Sequence, residues 1–150
     1  MDYYSYYKDD IVLVADEKGL KALYFKDDDL ISGQYRDDLE IFIKTKKWLD
    51  AYFSGHKDKF PCRLSLNGTA FDLKVWEALL TIGYGETLSY EEVADMVASK
   101  PRATANAIGR NKILIIIPCH RVIRKDGSLG GYRGGIENKK KLLELEKRYK

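Results

Sequence analysis

Ser89-Tyr90-Glu91-Glu92-Val93-Ala94-Asp95-Met96-Val97, followed after a short gap by Pro101-Arg102-Ala103-Thr104-Ala105-Asn106-Ala107-Ile108, is the stretch that decides the fold. Ser89 can cap a helix, and Glu92, placed to reach back to its backbone, completes a capping box. Val93, Ala94 and Val97 then form an inner face. Pro101 suits the first helical position, where its missing N–H costs nothing. Ala103, Ala107 and Ile108 are expected inside the second helix, which Asn111 ends. Two short helices joined by a tight turn read as a helix-turn-helix.

Upstream, Phe71, Val75, Leu79 and Leu80, widened by Trp76, mark an amphipathic helix that Gly83 and Gly85 stop. Downstream, Ile113 to Ile117 is β-branched and apolar, which predicts a buried strand or extended segment broken by Pro118. Asp126-Gly127 signals a turn. Gly130-Gly131-Tyr132-Arg133-Gly134-Gly135 is a glycine-rich loop. Ile136 to Tyr149 closes the chain as a helix.

The first part of the chain reads differently. Ile11 to Ala15 and Leu20 to Phe25 flank the turn signal Asp16-Glu17-Lys18-Gly19, which predicts a hairpin. Apolar residues at helical spacing from Asp38 to Phe53 predict a helix ending at Ser54-Gly55. Lys57 to Ser65 is expected to return as an extended segment. The composition therefore predicts an α+β protein of two domains, a small N-terminal α/β domain over 1–66 and a mainly helical C-terminal domain over 67–150.

The 150 residues carry a net charge of +3, unevenly placed. Residues 101–150 hold 13 Lys/Arg against 4 Asp/Glu, or +9, which makes them the candidate anion-binding surface. A solvated basic helix around Lys139, Lys140 and Lys141 is the blander reading of the same charge. A chain of this length needs no metal or disulfide to build a core. The opening Met1-Asp2-Tyr3-Tyr4 has no basic region and no apolar run, and the longest apolar run is far too short for a bilayer. The expectation is a cytoplasmic protein with Cys62 and Cys119 as free thiols.

Cys119 follows a proline and precedes His120. An imidazole can take a thiol proton and release the reactive thiolate. The pair alone fits a buried structural cysteine equally well. No CxxC or HxxxH spacing joins Cys62, Cys119, His56 and His120, so no metal site is expected. The glycine-rich loop could cradle phosphate, form a plain turn, or close over a pocket with Tyr132 as a flat face for a base.

Ile117-Pro118-Cys119-His120-Arg121-Val122 resembles the active-site signature of the O6-alkylguanine-DNA alkyltransferases. Gly85-Glu86-Thr87-Leu88-Ser89-Tyr90, Arg102-Ala103, Asn111, the glycine-rich loop, and the segment from Lys139 to Glu146 match in order and spacing. The match covers about residues 70–146. The resemblance implies a ribonuclease H-like N-terminal domain and no cofactor. It also implies a monomer that binds double-stranded DNA through the minor groove and flips the damaged nucleotide out.

By the same resemblance, Cys119 takes the alkyl group from O6-alkylguanine, and from O4-alkylthymine, irreversibly and once. His120 and Glu146 relay its proton through a water, and Asn111 braces the turn. Tyr90, the Val122 carbonyl, Tyr132 and the Arg133 backbone N–H face the base. Arg102, Ala103, Ala107, Arg110 and Arg121 are the implied DNA contacts. The alternatives are a lesion-binding module without chemistry and a Cys-His hydrolase unrelated to DNA. Lys112, Asn106 and Arg133 stand where the family has other residues.

Overall fold

The hairpin forms where the turn signal places it. The computed structural model describes residues 1–26 and 33–150. Strand β2 (Ile11–Asp16) ends on Asp16, whose Oδ1 accepts from the N–H groups of Lys18 and Gly19 at 2.9 and 3.2 Å. That side chain closes the tight turn into β3 (Gly19–Phe25). Glycine is required at 19 by close approach, because a Cβ there would sit 2.3 Å from the Arg63 carbonyl oxygen. Leu20 donates to Arg63 and accepts from Ser65, so the extended segment expected before Ser65 does return to the hairpin.

A strand that the sequence reading passed over completes the sheet. Tyr3–Tyr7 forms β1, antiparallel to β2, and Gln34–Tyr35 forms a short parallel edge strand, β4. The order is β3-β2-β1-β4. The tyrosine run hides the usual polar–apolar alternation, since tyrosine sits on both faces of β1. Helix α1 (Glu40–Phe53) buries Phe42, Thr45, Leu49 and Tyr52 on one face. Tyr7 stacks on Phe53 and donates to Asp50 Oδ1 at 2.8 Å, which ties α1 to β1.

Residues Met1–Asn67 and Gly68–Lys150 form two compact units. The second is mainly helical, and the fold as a whole is α+β. Helix α2 (Ala70–Leu79) opens with a capping box between Thr69 and Asp72, and buries Val75, Trp76 and Leu79. Leu80, expected on the same face, is exposed. After the two-residue strand β5 (Leu88–Ser89) come α3 (Tyr90–Met96), with the predicted Ser89–Glu92 capping box, and α4 (Pro101–Gly109). Helices α2, α3 and α4 pack on one another. Trp76 Nε1 donates to the Ala107 carbonyl at 2.9 Å and holds the end of α4 against α2.

The isoleucine run departs from expectation. Ile113–Ile117 is buried but forms a turn rather than a strand. Ile115 has φ of 69°, and Ile116 N–H donates to the Leu114 carbonyl at 2.8 Å, the rare positive-φ form of the γ-turn. A β-branched residue there costs about 1–3 kcal/mol. Burial of five apolar side chains and the hydrogen bonds of Asn111 hold it in place. The chain then makes a 3-10 turn at Cys119–Arg121 and a short strand β6 (Val122–Ile123), parallel to β5. Helix α5 (Ile136–Tyr149) ends the fold, its inward face carrying Lys139, Leu142 and Glu146. No helix among the described residues is long and apolar enough to cross a membrane.

Candidate active site

The turn from Asn111 to Cys119 is organised by one side chain. Asn111 Oδ1 accepts from the Ile113 N–H at 2.9 Å. Its Nδ2 donates to the Ile117 carbonyl at 3.0 Å and to Cys119 Sγ at 3.3 Å. The amide therefore closes the turn and touches the thiol at once. Pro118, at φ −80° and ψ 61°, adds an inverse γ-turn in which Cys119 N–H donates to the Ile117 carbonyl at 2.7 Å. Lys112 is exposed and takes no part in this bracing.

Cys119 is 4% exposed, and burial pushes its thiol up to about 11, with the Asn111 donor and the Lys139 charge pulling the other way. At neutral pH the group is a thiol and needs a base. His120 is fully buried beside it, and burial pushes the imidazole below its ordinary value, so it is neutral.

Glu146 sets which nitrogen of His120 is basic. Burial would raise its carboxyl, but hydrogen bonds from His120 and Arg121 overcome that and hold it well below the usual carboxylate range. A carboxylate only accepts. His120 Nε2, 2.6 Å from Glu146 Oε2, therefore carries the hydrogen and donates. The lone pair is left on Nδ1, which is buried and has no hydrogen-bond donor among the described residues.

Arg121 completes this group. Its Nε and one terminal nitrogen donate to Glu146 at 2.8 and 3.0 Å, and the other donates to the Ile82 carbonyl at 2.6 Å. The Gly85 N–H gives Glu146 a further donor at 3.1 Å. The resemblance placed Arg121 against DNA. Its burial and its commitment to Glu146 correct that reading. Ala107 is also corrected, being fully buried with its carbonyl bonded to Trp76. Ala103, expected inside, is exposed with Arg102 and Asn106 on the outer side of α4. Arg110 is half-exposed and gripped by buried Asp72 through Nε and a terminal nitrogen, at 2.9 and 2.6 Å.

Above Cys119 opens a cavity of about 600 Å3. Tyr90, Arg102, Ala105, Ile108, Gly109, Arg124 and the loop Gly130–Arg133 line it, with Cys119 at its floor. The loop passes close over Tyr90. Gly130 has φ of +72°, and a Cβ there would lie 2.8 Å from the Tyr90 hydroxyl, so only glycine fits. Burial, and after it the nearby Cys119, pushes the Tyr90 hydroxyl up, so it stays a proton donor. Tyr132 sets its ring edge-on to His120, with centroids 6.5 Å apart.

Lys139 was not foreseen as a site residue. It is fully buried, and its ammonium donates to the carbonyls of Val122 at 2.7 Å, Gly131 at 3.1 Å, and Leu129. Burial pushes it down to about 8. It ties the segment after the cysteine to the glycine-rich loop. The Val122 carbonyl, implied to face substrate, thus already has one donor and keeps a second lone pair. The signal was present: Lys139, Leu142 and Glu146 share one helix face, so a buried Glu146 brings Lys139 inward with it. Both cysteines are free, and no cluster of metal-ligating side chains occurs among the described residues.

Comparison with known proteins gives a consistent result over both units. Residues 3–66 match the ribonuclease-like domain of the family described as 6-O-methylguanine DNA methyltransferase, and residues 70–148 match its DNA binding domain. The chain is 45% identical over 143 residues to the methylated-DNA–protein-cysteine methyltransferase of Methanosarcina barkeri, covering 91% of this chain and 89% of that one. The Mycobacterium tuberculosis protein of the same name is 54% identical over 101 residues, 66% of this chain, and the match spans only 61% of the relative. The crystal structure of M. tuberculosis O6-methylguanine methyltransferase superposes with a TM-score of 0.85 at 38% identity, covering all of this chain and 95% of that one. A structure of the same organism's protein in complex with DNA superposes equally well at 39% identity, covering 99% and 93%. With both domains matched end to end, and the cysteine turn set in the matched DNA-binding half, the chain belongs to the 6-O-methylguanine DNA methyltransferase family.

Proposed function

We propose that the chain repairs double-stranded DNA by moving the alkyl group of O6-alkylguanine, and of O4-alkylthymine, onto Cys119 in a single irreversible turnover. The observation that carries this is one buried thiol that accepts from Asn111 and is followed in the chain by a neutral, buried imidazole whose free nitrogen is fixed by Glu146. A cavity large enough for a base opens directly above it.

The chemistry follows from these atoms. The thiol proton passes to His120 Nδ1, through a water, as sulfur attacks the alkyl carbon. The S–C bond forms and the C–O6 bond breaks. The electron pair leaves with guanine as an anion, and the Tyr90 hydroxyl eases that departure by donating a hydrogen bond to a ring nitrogen. Glu146 stabilises the imidazolium that forms. The thioether has no second nucleophile to remove it, so the protein is consumed.

A base inside a duplex is out of reach of a buried sulfur, so the nucleotide must be flipped out at a cost of a few kcal/mol. Helix α4 is the element we assign to the minor groove. Its exposed side offers Arg102 to fill the gap in the stack, and small Ala103 to let the backbone approach. Arg110, held by Asp72, stands at the end of the same helix. Tyr132, the Arg133 N–H and the free lone pair of Val122 would receive the base. The residues of this step lie within 85–146 of a single chain, as a monomer requires.

Intact-mass analysis after incubation with a duplex containing O6-methylguanine tests the proposal. The expected gain is about 14 Da on Cys119, a methyl replacing a hydrogen. An unchanged mass, with O6-methylguanine intact in the duplex, would refute it.

A further inference from the structure

Arg102, Asn106 and Arg110 recur at helical spacing along α4, so their side chains leave one face of it, and all three residues are exposed. Arg110 caps the C-terminal end of that row with helical backbone angles, φ −86° and ψ −4°. It differs from Arg102 in having an acid behind it. Asp72, from the first turn of α2, is buried beside a face assigned above to a polyanion. Its side chain is 3% exposed, against 51% for Arg110.

The carboxylate is fixed at both oxygens. Oδ1 accepts from Arg110 Nε and Nη2 at 2.9 and 2.6 Å. Oδ2 accepts from the Thr69 N–H at 3.2 Å. Asp72 therefore cannot swing out with the arginine. The Arg110 hydrogen bonds hold its carboxyl below the ordinary value, so the pair is ionised at neutral pH. The backbone at this end of α4 is held separately, by Trp76 on the Ala107 carbonyl. What the pair adds is the direction of the guanidinium. Nε and one hydrogen of Nη2 turn back to Asp72, and Nη1 has no partner among the described residues. The two N–H groups at the tip of the fork, one on each terminal nitrogen, remain, and a phosphate accepts such a pair.

We propose that Asp72 is a positioning residue for DNA. By gripping Arg110 from behind it holds the tip of the guanidinium ready for a backbone phosphate, so that an acid strengthens the binding of a polyanion. The inference rests on α4 facing DNA, as proposed above. A free arginine samples many rotamers and loses that freedom on binding. The grip of Asp72 removes much of that loss before DNA arrives. Repulsion between Asp72 and the phosphate opposes the gain, but the carboxylate stands behind the guanidinium and is paired with it.

The test is a double-mutant cycle on the affinity for a short fluorescent duplex without a lesion, read by anisotropy over a salt series on folded protein. Arg110→Ala is expected to weaken binding and to lower the salt slope by about one. Asp72→Asn removes an acid and keeps an acceptor for the Thr69 N–H. It is expected to weaken binding by about three- to tenfold, the scale of one long side chain ordered on association. In the Arg110→Ala background the same substitution is expected to weaken it no further. Arg110→Lys keeps the charge at an exposed position without the fork, and is expected to weaken binding by about threefold or more.

An Asp72→Asn protein that binds as tightly as the unaltered one, or tighter as charge alone would have it, would overturn the proposal. Equal weakening in both backgrounds would do the same and leave Asp72 as a cap of α2. Undiminished affinity in Arg110→Lys would also overturn it, and decides the matter alone should Asp72→Asn not fold. Unchanged affinity and slope in Arg110→Ala would remove Arg110 from the DNA contacts, and this inference with it, without touching transfer to Cys119. Absence of duplex binding in the unaltered protein would refute the proposed function and this inference together.

Discussion

His120 Nε2 lies 2.6 Å from Glu146 Oε2, and both side chains are buried. The carboxylate comes from the last helix and the imidazole from the turn after Cys119, so helix α5 determines which nitrogen of His120 faces the chemistry. Replacing Glu146 with Gln removes the negative charge and turns one of its two acceptor oxygens into a donor, which leaves Arg121 buried without its counter-charge. Breaking such a buried pair costs about 3–5 kcal/mol. Denaturant unfolding should show that loss. In the folded fraction, alkyl transfer should slow by about 10²-fold or more, because His120 remains the base but loses the carboxylate that fixes its tautomer.

The pH dependence of transfer should be flat where an ordinary thiol's would rise. Cys119 is pushed up to about 11 and His120 is pushed below its ordinary 6.5, so thiol and neutral imidazole coexist between them. With a free O6-alkylguanine base as substrate, the rate should hardly change from pH 6.5 to 8. Above that, the Lys139 ammonium begins to lose its charge. A tenfold rise per pH unit across the window would mean that the thiolate reacts without His120.

Stability should fall on the acid side, because two buried carboxylates are held ionised by their partners. Glu146 and Asp72 both have folded values below their ordinary 4.5 and 3.8. A lowered carboxyl contributes stability that is present above its unfolded value and is lost as pH falls through its folded one. Melting temperature should therefore drop as pH falls below 4.5. Glu146→Gln should flatten part of that drop.

Asn111 should separate bracing from chemistry. Asn111→Ala leaves the Ile113 N–H buried without that partner, a cost of about 1–3 kcal/mol, and takes from the Ile117 carbonyl one of its two donors, the Cys119 N–H remaining. Asn111→Asp keeps an acceptor for Ile113 but sets a negative charge beside Sγ. The Asp variant should unfold later than the Ala variant and yet transfer alkyl more slowly per folded molecule. Parallel unfolding and transfer measurements on the two check this order.

Arg121 and Arg102 should behave oppositely. Arg121→Ala should destabilise the fold by several kcal/mol while leaving the salt dependence of DNA binding unchanged. Arg102→Ala should leave stability intact and lower the salt slope by about one. Fluorescence anisotropy over a salt series distinguishes them.

The local signals in this sequence were sound, whereas contacts between distant elements were legible only where the resemblance supplied them, as for His120 and Glu146. The Asp16 turn, the Ser89–Glu92 capping box and the Pro101 helix start depend on residues a few positions apart, and each forms as read. The isoleucine run failed because strand preference is weaker than the side chain of Asn111, which supplies the hydrogen bonds a strand would need. Arg121 and Ala107 were placed against DNA by the resemblance alone, while the helical spacing already put Ala107 inside, where it lies. Their true surroundings, Glu146 and Trp76, come from elements distant in sequence. Lys139 was counted among surface lysines because composition cannot tell a solvated ammonium from one bonded to backbone carbonyls.

The most direct test of the central claim is stoichiometry. The protein should be incubated with a molar excess of duplex carrying O6-methylguanine labelled in the methyl group, then digested and mapped. Label should plateau at about one methyl per chain, all of it on the peptide containing Cys119, and Cys119→Ala should acquire none. Continued consumption of lesion beyond one equivalent, or label on Cys62 in place of Cys119, would contradict the account.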